Sequence, residues 1–152
     1  MRILKVSSVV YLAGVLALTL WPNLARTEVP VWAQAIIRTA HSLGIPLTFG
    51  VLEATANVIM FVPFGVFGVW LLGDWHEIIH DGNITTGPSL PAIAVQITLL
   101  GAALSAAIEV AQLHLPGRVT SIDDLWRNSL GAAIGAAACA IGLSVHRRLA
   151  SA

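Results

Sequence analysis

The sequence predicts an all-α polytopic membrane protein with four transmembrane helices and one short interfacial helix. Of its 152 residues, 57% are hydrophobic and only 11% are charged, and the mean hydropathy is +0.82. Soluble domains carry about 25% charged residues, so this composition is typical of a membrane protein. The formal net charge is zero, which gives no basic surface for nucleic acid.

The first span is predicted over residues 6–22, an uncharged run that follows Arg2 and Lys5. A basic start and an apolar centre are also typical of a signal peptide. However, no small-x-small cleavage pattern follows Trp21-Pro22. We therefore interpret this run as a retained transmembrane helix with Trp21 at the membrane interface.

Residues 31–43 predict a helix that lies in the interface and does not cross the bilayer. Apolar residues recur there at helical spacing, whereas Gln34, Arg38 and His41 face elsewhere. The segment is shorter than the roughly 20 apolar residues that a span requires, and its two-sided pattern fits an interfacial helix. His41 lies on the polar face, and we assign it no chemistry.

The remaining three spans are predicted over residues 54–73, 91–113 and 128–145, with a solvated loop from Asp74 to about Ser89. The last span contains Gly131 and Gly135, whose Gly-x-x-x-Gly spacing permits close helix packing and predicts helix-mediated association. Its Cys139 is interpreted as a small packing residue. No repeat or second domain is predicted, so residues 1–152 form one domain.

Most polar groups of the membrane part gather at one end of the predicted bundle. Glu109 and Gln112 lie three apart, and Asp124 and Asn128 lie four apart, so each pair shares a helix face. Asn57, near the start of the second span, falls at the same end. The predicted binding residues are Asn57, Glu109, Gln112, Arg118, Asp123, Asp124 and Asn128.

These residues resemble the VanZ-like family, named for a membrane protein associated with resistance to teicoplanin. The resemblance rests on the run from Asn57 to Gly65, on Glu109-x-x-Gln112, on Gly117-Arg118, and on the run from Ser121 to Gly131 with Gly135. It covers the second, third and fourth spans in order. It implies a multi-pass protein of the bacterial cell envelope, whose polar motif matches the seven predicted binding residues.

Three interpretations of this polar cluster stay open at the level of sequence. Glu109, Arg118, Asp124 and Asn128 could form a hydrogen-bonded clasp that fixes the helix hairpin. Alternatively, the cluster could bind a polar headgroup, a peptidoglycan precursor or a glycopeptide, with Arg118 pairing to a carboxylate or phosphate. Acid–base catalysis by Glu109 with Asp123 or Asp124 is the weakest of the three, because paired carboxylates divide these roles only in different environments. Catalysis is therefore the less favoured interpretation and stays open, and we predict no cofactor.

Residues 76–80 satisfy the pattern His-Glu-x-x-His, which on a helix binds zinc with the glutamate as general base. Here the pattern lies between Gly73 and Gly82, where a helix would be barely two turns long. It also lies at the opposite end from the polar cluster. We therefore interpret it as part of the solvated loop and predict no metal site.

The positions of lysine and arginine predict the orientation in the bacterial inner membrane. Four cations lie at each side by count, but those near the termini sit tightly against helix ends, where the positive-inside rule weighs them most. Both termini are therefore predicted in the cytoplasm and the polar cluster at the outer face. The terminal cations are Arg2, Lys5, Arg147 and Arg148. In this position the cluster would recognise an envelope component; an accessory subunit acting through helix packing is the alternative, and an enzyme on a lipid-linked substrate is third.

Overall fold

The computed structural model describes residues 2–20, 29–73, 77–80, 83–86, 88–115 and 120–150. Five helices lie in this part of the chain: α1 (Arg2–Leu20), α2 (Val31–Ser42), α3 (Phe49–Gly73), α4 (Leu90–Gln112) and α5 (Ile122–Ala150). Four of them, α1, α3, α4 and α5, are long and apolar enough to cross a membrane. The prediction of an all-α protein with four spans and a short extra helix is confirmed.

Three helices begin four to six residues earlier than the sequence analysis placed them, and α1 begins at Arg2 instead of residue 6. Helix α3 begins at Phe49 instead of residue 54, and the Thr48 hydroxyl accepts a hydrogen bond from the Val51 N–H at 3.3 Å. Helix α5 begins at Ile122 instead of residue 128, after Ser121, whose hydroxyl accepts from the Asp123 N–H at 3.2 Å. The hydroxyl of a capping residue satisfies an N–H that has no partner inside the helix. Helices α3 and α5 therefore each begin directly after a capping hydroxyl.

The connection between α3 and α4 contains a hairpin where a loop was predicted. Strands β1 (Glu77–His80) and β2 (Asn83–Thr86) pair antiparallel, with His80 opposite Asn83. Isoleucine and threonine predominate in this stretch, and such β-branched residues favour strands. The two residues between the strands in the sequence are Asp81 and Gly82. Asp-Gly is a typical pair for two-residue hairpin connections. The solvated-loop prediction is wrong in this respect.

Helices α3, α4 and α5 form the core, with α4 antiparallel to the other two. Along the α3–α5 contact, Gly131 lies against Val58 and Gly135 against Val62, so these helices run in the same direction. One apolar cluster centres on Val69, Ile93 and Ile97 toward one end; another centres on Phe61, Ile108 and Ala132 toward the other. Packing of this kind positions the ends of the helices relative to one another.

The α3–α5 contact is a backbone-to-backbone approach that depends on three glycines. A Cβ at Gly65 would overlap the carbonyl oxygen of Ala132, and one at Gly131 or Gly135 would overlap the carbonyl oxygen of Val58 or Val62. Such close approach through small residues is the usual way that membrane helices pack. Gly131 and Gly135 are both buried here against α3 of the same chain.

Helix α1 packs on α3 and α4 at the edge of this core. Its Val15 is buried beside Phe61 and Ile108, and the Tyr11 hydroxyl donates a hydrogen bond to the Met60 carbonyl of α3. Met60 lies three residues before Pro63, the proline inside α3, which has no N–H and disturbs the helical hydrogen bonds just before it. Tyr11 thus joins α1 to α3 in the turn that precedes the proline.

Candidate functional site

The helix directions bring one end of every spanning helix together. Thr19 near the end of α1, Asn57 near the start of α3, Gln112 at the end of α4 and Asp124 at the start of α5 all take part in contacts between helices there. We call this the polar end. Its side chains come from α3, α4 and α5, and α1 contributes the Thr19 carbonyl, so their positions are set by the packing of the whole bundle.

Asp124 is the centre of a hydrogen-bonded network at the polar end. Its Oδ1 accepts from the Asn57 amide at 2.7 Å and from the Arg127 guanidinium at 3.1 Å. The Arg127 guanidinium also lies 3.8 Å from the Asp123 carboxylate. The spacing explains this arrangement, because residues three and four apart on α5 face each other. Arg127 therefore bridges two carboxylates on the first turns of α5.

Exposure divides this network into an inner and an outer part. The side chain of Asp124 is 26% exposed and that of Arg127 is 31% exposed, whereas that of Asp123 is 70% exposed. Both aspartates lie in the first turn of α5, where a negative charge is favoured by the helix dipole. Asp123 therefore faces outward, and Arg127, which is about as exposed as Asp124, links it to the Asp124–Asn57 pair.

Asn128 lies one turn further into the bundle and is only 3% exposed. Its Nδ2 donates at 2.9 Å to the hydroxyl of Ser105, a fully buried residue of α4. The Asn128 Oδ1 is buried and has no hydrogen-bond partner in the part of the chain that the structure describes. This pair joins α4 to α5 below the charged network.

Two further predicted residues join helices through backbone groups. The Gln112 amide donates to the Thr19 carbonyl of α1 at 2.8 Å. The Glu109 Oε2 of α4 accepts from the backbone N–H of Ser121 at 2.9 Å, directly before α5 begins. Each contact connects α4 to another helix at the polar end.

The family model described as VanZ/LLP1 matches residues 8–143, which is most of the chain. The chain belongs to the VanZ/LLP1 family. The resemblance inferred from the polar motif is therefore confirmed, and the four apolar helices make this family member a multi-pass membrane protein. No curated protein and no solved structure shows significant similarity to it.

Within this VanZ/LLP1 chain, the structure brings six of the seven predicted binding residues to the polar end. Among the described residues they form three sets of contacts: Asn57 with Asp124 and its neighbour Asp123, Asn128 with Ser105, and Glu109 and Gln112 with backbone groups. Arg118 lies outside the described residues. The ligand-binding role of all seven stays a prediction.

The sequence analysis did not include Arg127, Ser105 or Thr19 among the site residues. Arg127 could have been found, because it lies three and four residues after the two aspartates. Ser105 gives no comparable signal, since one serine in an apolar helix is usually bonded to its own backbone. Thr19 contributes only its carbonyl oxygen, which no side-chain pattern reveals.

The structure also describes His114 and most of the His-Glu-x-x-His stretch. His114 is exposed, and its Nδ1 lies 3.1 Å from the Val110 carbonyl, one turn back. Residues 77–80 of the His-Glu-x-x-His pattern form strand β1, and His76 lies outside the described residues. This zinc motif requires two histidines on one face of a helix. Residues 77–80 form a strand, which does not provide that arrangement.

Proposed function

We propose that this VanZ/LLP1 protein recognises a polar group of a bacterial envelope component at its polar end. The carrying observation is the exposed Asp123 and its ion pair with the partly exposed Arg127, held on the first turns of α5 by the partly buried Asp124–Asn57 hydrogen bond. A peptidoglycan precursor, a lipid headgroup and a glycopeptide all offer groups that such a pair could bind. The protein would act from the inner membrane, with both termini in the cytoplasm.

The depth of the pair supports contact with a headgroup or with a molecule at the membrane surface. From Asn128 to His146 is a rise of roughly 27 Å at 1.5 Å per residue, close to the roughly 30 Å of the hydrocarbon core. Asp123 and Arg127 precede this stretch. Trp126 between them is 73% exposed, and tryptophan favours the interface. Both features support a position of the pair at headgroup level.

The chemistry of the pair favours a ligand that carries both charges. The Asp123 carboxylate can accept hydrogen bonds from an ammonium group, and the planar guanidinium of Arg127 can donate to a carboxylate or phosphate. Because Arg127 also contacts Asp124, its position is fixed before a ligand arrives. Preorganisation of this kind lowers the entropy lost on binding.

Binding to protein in nanodiscs tests the proposal. The probes are a lipid-linked peptidoglycan precursor and fluorescently labelled teicoplanin, each titrated against wild type, Asp123→Asn and Arg127→Ala. A charge-assisted hydrogen bond contributes about 1.5–3 kcal/mol, so we expect each variant to bind at least one probe roughly tenfold more weakly. The matched control is Glu53→Gln, which removes another exposed carboxylate near the start of α3. Equal affinity of both probes for all four proteins contradicts the proposal.

A structural or accessory role is the second candidate, and the close α3–α5 contact favours it. The groups of Asn57, Asn128 and Gln112 are used in bonds between helices, as a clasp would require. This role predicts that Gly131→Leu impairs the cellular phenotype more than Asp123→Asn does. Recognition predicts that Asp123→Asn impairs the phenotype while the protein accumulates in the membrane at the wild-type level.

A further inference from the structure

Helix α4 carries a polar residue on its outer, lipid-facing side. Gln96 is exposed, and no described residue forms a hydrogen bond with its amide. Ile97, Gly101 and Ser105, which lie about 100°, 140° and 180° around α4 from Gln96, are buried in the core. The Gln96 side chain therefore faces away from the bundle.

Gln96 lies within the hydrocarbon depth of the bilayer. It is six residues after the start of α4 at Leu90 and thirteen before Glu109, which is roughly 9 Å and 20 Å along the helix. A hydrocarbon core of roughly 30 Å that begins near Glu109 extends about 10 Å beyond Gln96. An amide without a hydrogen-bond partner is costly at that depth. A contact that buries this amide and gives it a hydrogen-bond partner would remove this free-energy cost.

The surface around Gln96 has the form of a helix-packing face. At 100° per residue, Gln96, Ala103 and Ala107 fall along one line of α4, and all three are exposed. Leucine and valine flank this line, with Leu99 64% exposed and Val110 57% exposed. Ala103 and Ala107 form a small-x-x-x-small pair that lets a second helix approach closely. We call these five residues the α4 outer face.

We infer that the α4 outer face is a contact between two copies of this chain, related by a two-fold axis along the membrane normal. Such an axis places each residue opposite its own image. A glutamine amide carries both donors and an acceptor, so two facing Gln96 side chains satisfy each other with reciprocal hydrogen bonds. The rest of the face is uncharged, so no like charges meet across the axis. Gly131 and Gly135, by contrast, are already buried against α3.

Cysteine crosslinking tests the location of the contact. In a Cys139→Ala background, Ala103→Cys on the α4 outer face should form a disulfide-linked dimer in native membranes under mild oxidation. The matched control is Val95→Cys on the same helix, since Val95 is 60% exposed but points about 100° away from the line through Gln96 and Ala103. Equal crosslinking of the two variants, or none of either, overturns the inference.

Energy transfer between labelled copies in liposomes tests the role of the amide. Wild type should associate as a dimer, and Gln96→Leu should weaken the association about tenfold, as expected for the loss of two amide hydrogen bonds in a membrane. Gln96→Asn keeps an amide and should retain most of the affinity. Gln34→Leu, which removes an exposed amide from α2, should match wild type. A wild-type protein that stays monomeric at every protein-to-lipid ratio overturns the inference, as does unchanged association of Gln96→Leu.

Discussion

The closest contact of the bundle makes Gly135→Ala the most informative single substitution for the fold. An added Cβ would overlap the Val62 carbonyl oxygen and would lie 2.9 Å from its carbon and 3.1 Å from the Val66 nitrogen. All three are backbone atoms, so no side-chain rotation can relieve the overlap. Helices α3 and α5 would have to move apart along their largest contact.

The expected cost lies at the upper end of the range for overpacking. Inserting a methyl group into a packed interior typically costs 1–3 kcal/mol, and the rigid neighbours at Gly135 leave little room for relaxation. Separation of α3 from α5 would also strain the 2.7 Å bond from Asn57 to Asp124. We therefore expect Gly135→Ala to lower the free energy of unfolding by about 3 kcal/mol.

Equilibrium unfolding in mixed micelles, followed by circular dichroism as the fraction of SDS rises, measures this change. The control is Gly142→Ala, seven residues later in the same helix, where an added Cβ meets no atom within 4 Å. There, the better helix propensity of alanine should stabilise the protein by up to about 1 kcal/mol. If the free energies of unfolding of the two variants differ by less than about 0.5 kcal/mol, the close backbone contact at Gly135 does not stabilise the bundle as we expect.

Three further predictions concern the polar end and α1. A double-mutant cycle of Asn57→Ala and Asp124→Ala, measured by the same unfolding assay, should give a coupling of about 0.6–1.7 kcal/mol, and additivity would contradict the bond between them. Tyr11→Phe should destabilise the protein by about 1 kcal/mol, because the Met60 carbonyl loses its donor, and an unchanged unfolding midpoint would contradict this. A single cysteine at Thr120 in a Cys139→Ala background should react with an impermeant thiol reagent in intact cells; labelling only after lysis would place the polar end in the cytoplasm.

The hydropathy pattern was sufficient to predict the number of helices but not where they begin. The sequence analysis ended the apolar runs at the first charge, so Glu53 and Arg127 became boundaries. A membrane helix, however, continues through the headgroup layer until a cap stops it. Ser121 followed by Asp124 matches the Ser-x-x-Asp pattern of a helix start. Using that pattern would have placed Asp123 and Asp124 on α5 and not before it.

The polar end could be predicted as a location but not as a set of bonds. Helix order alone brings the ends of α3, α4 and α5 together, which is why Asn57 and Asp124 could be assigned to the same place. Their direct contact depends on the rotation of each helix about its axis. That rotation is set by Gly65, Gly131 and Gly135, whose packing allows one close approach of α3 to α5. Spacing within a single helix cannot reveal it.

A clasp between helices and a recognition site can exist together, because different atoms of the hydrogen-bonded network around Asp124 would form each of them. Asn57 and the Oδ1 of Asp124 face inward and fix α3 to α5. Asp123, at 70% exposure, forms only a 3.8 Å ion pair with Arg127, and such exposed pairs contribute little to stability. Asp123→Asn should therefore leave the free energy of unfolding almost unchanged while weakening ligand binding. Asp124→Asn should lower both the free energy of unfolding and the affinity for the ligand, because a displaced Arg127 no longer presents its guanidinium in a fixed position.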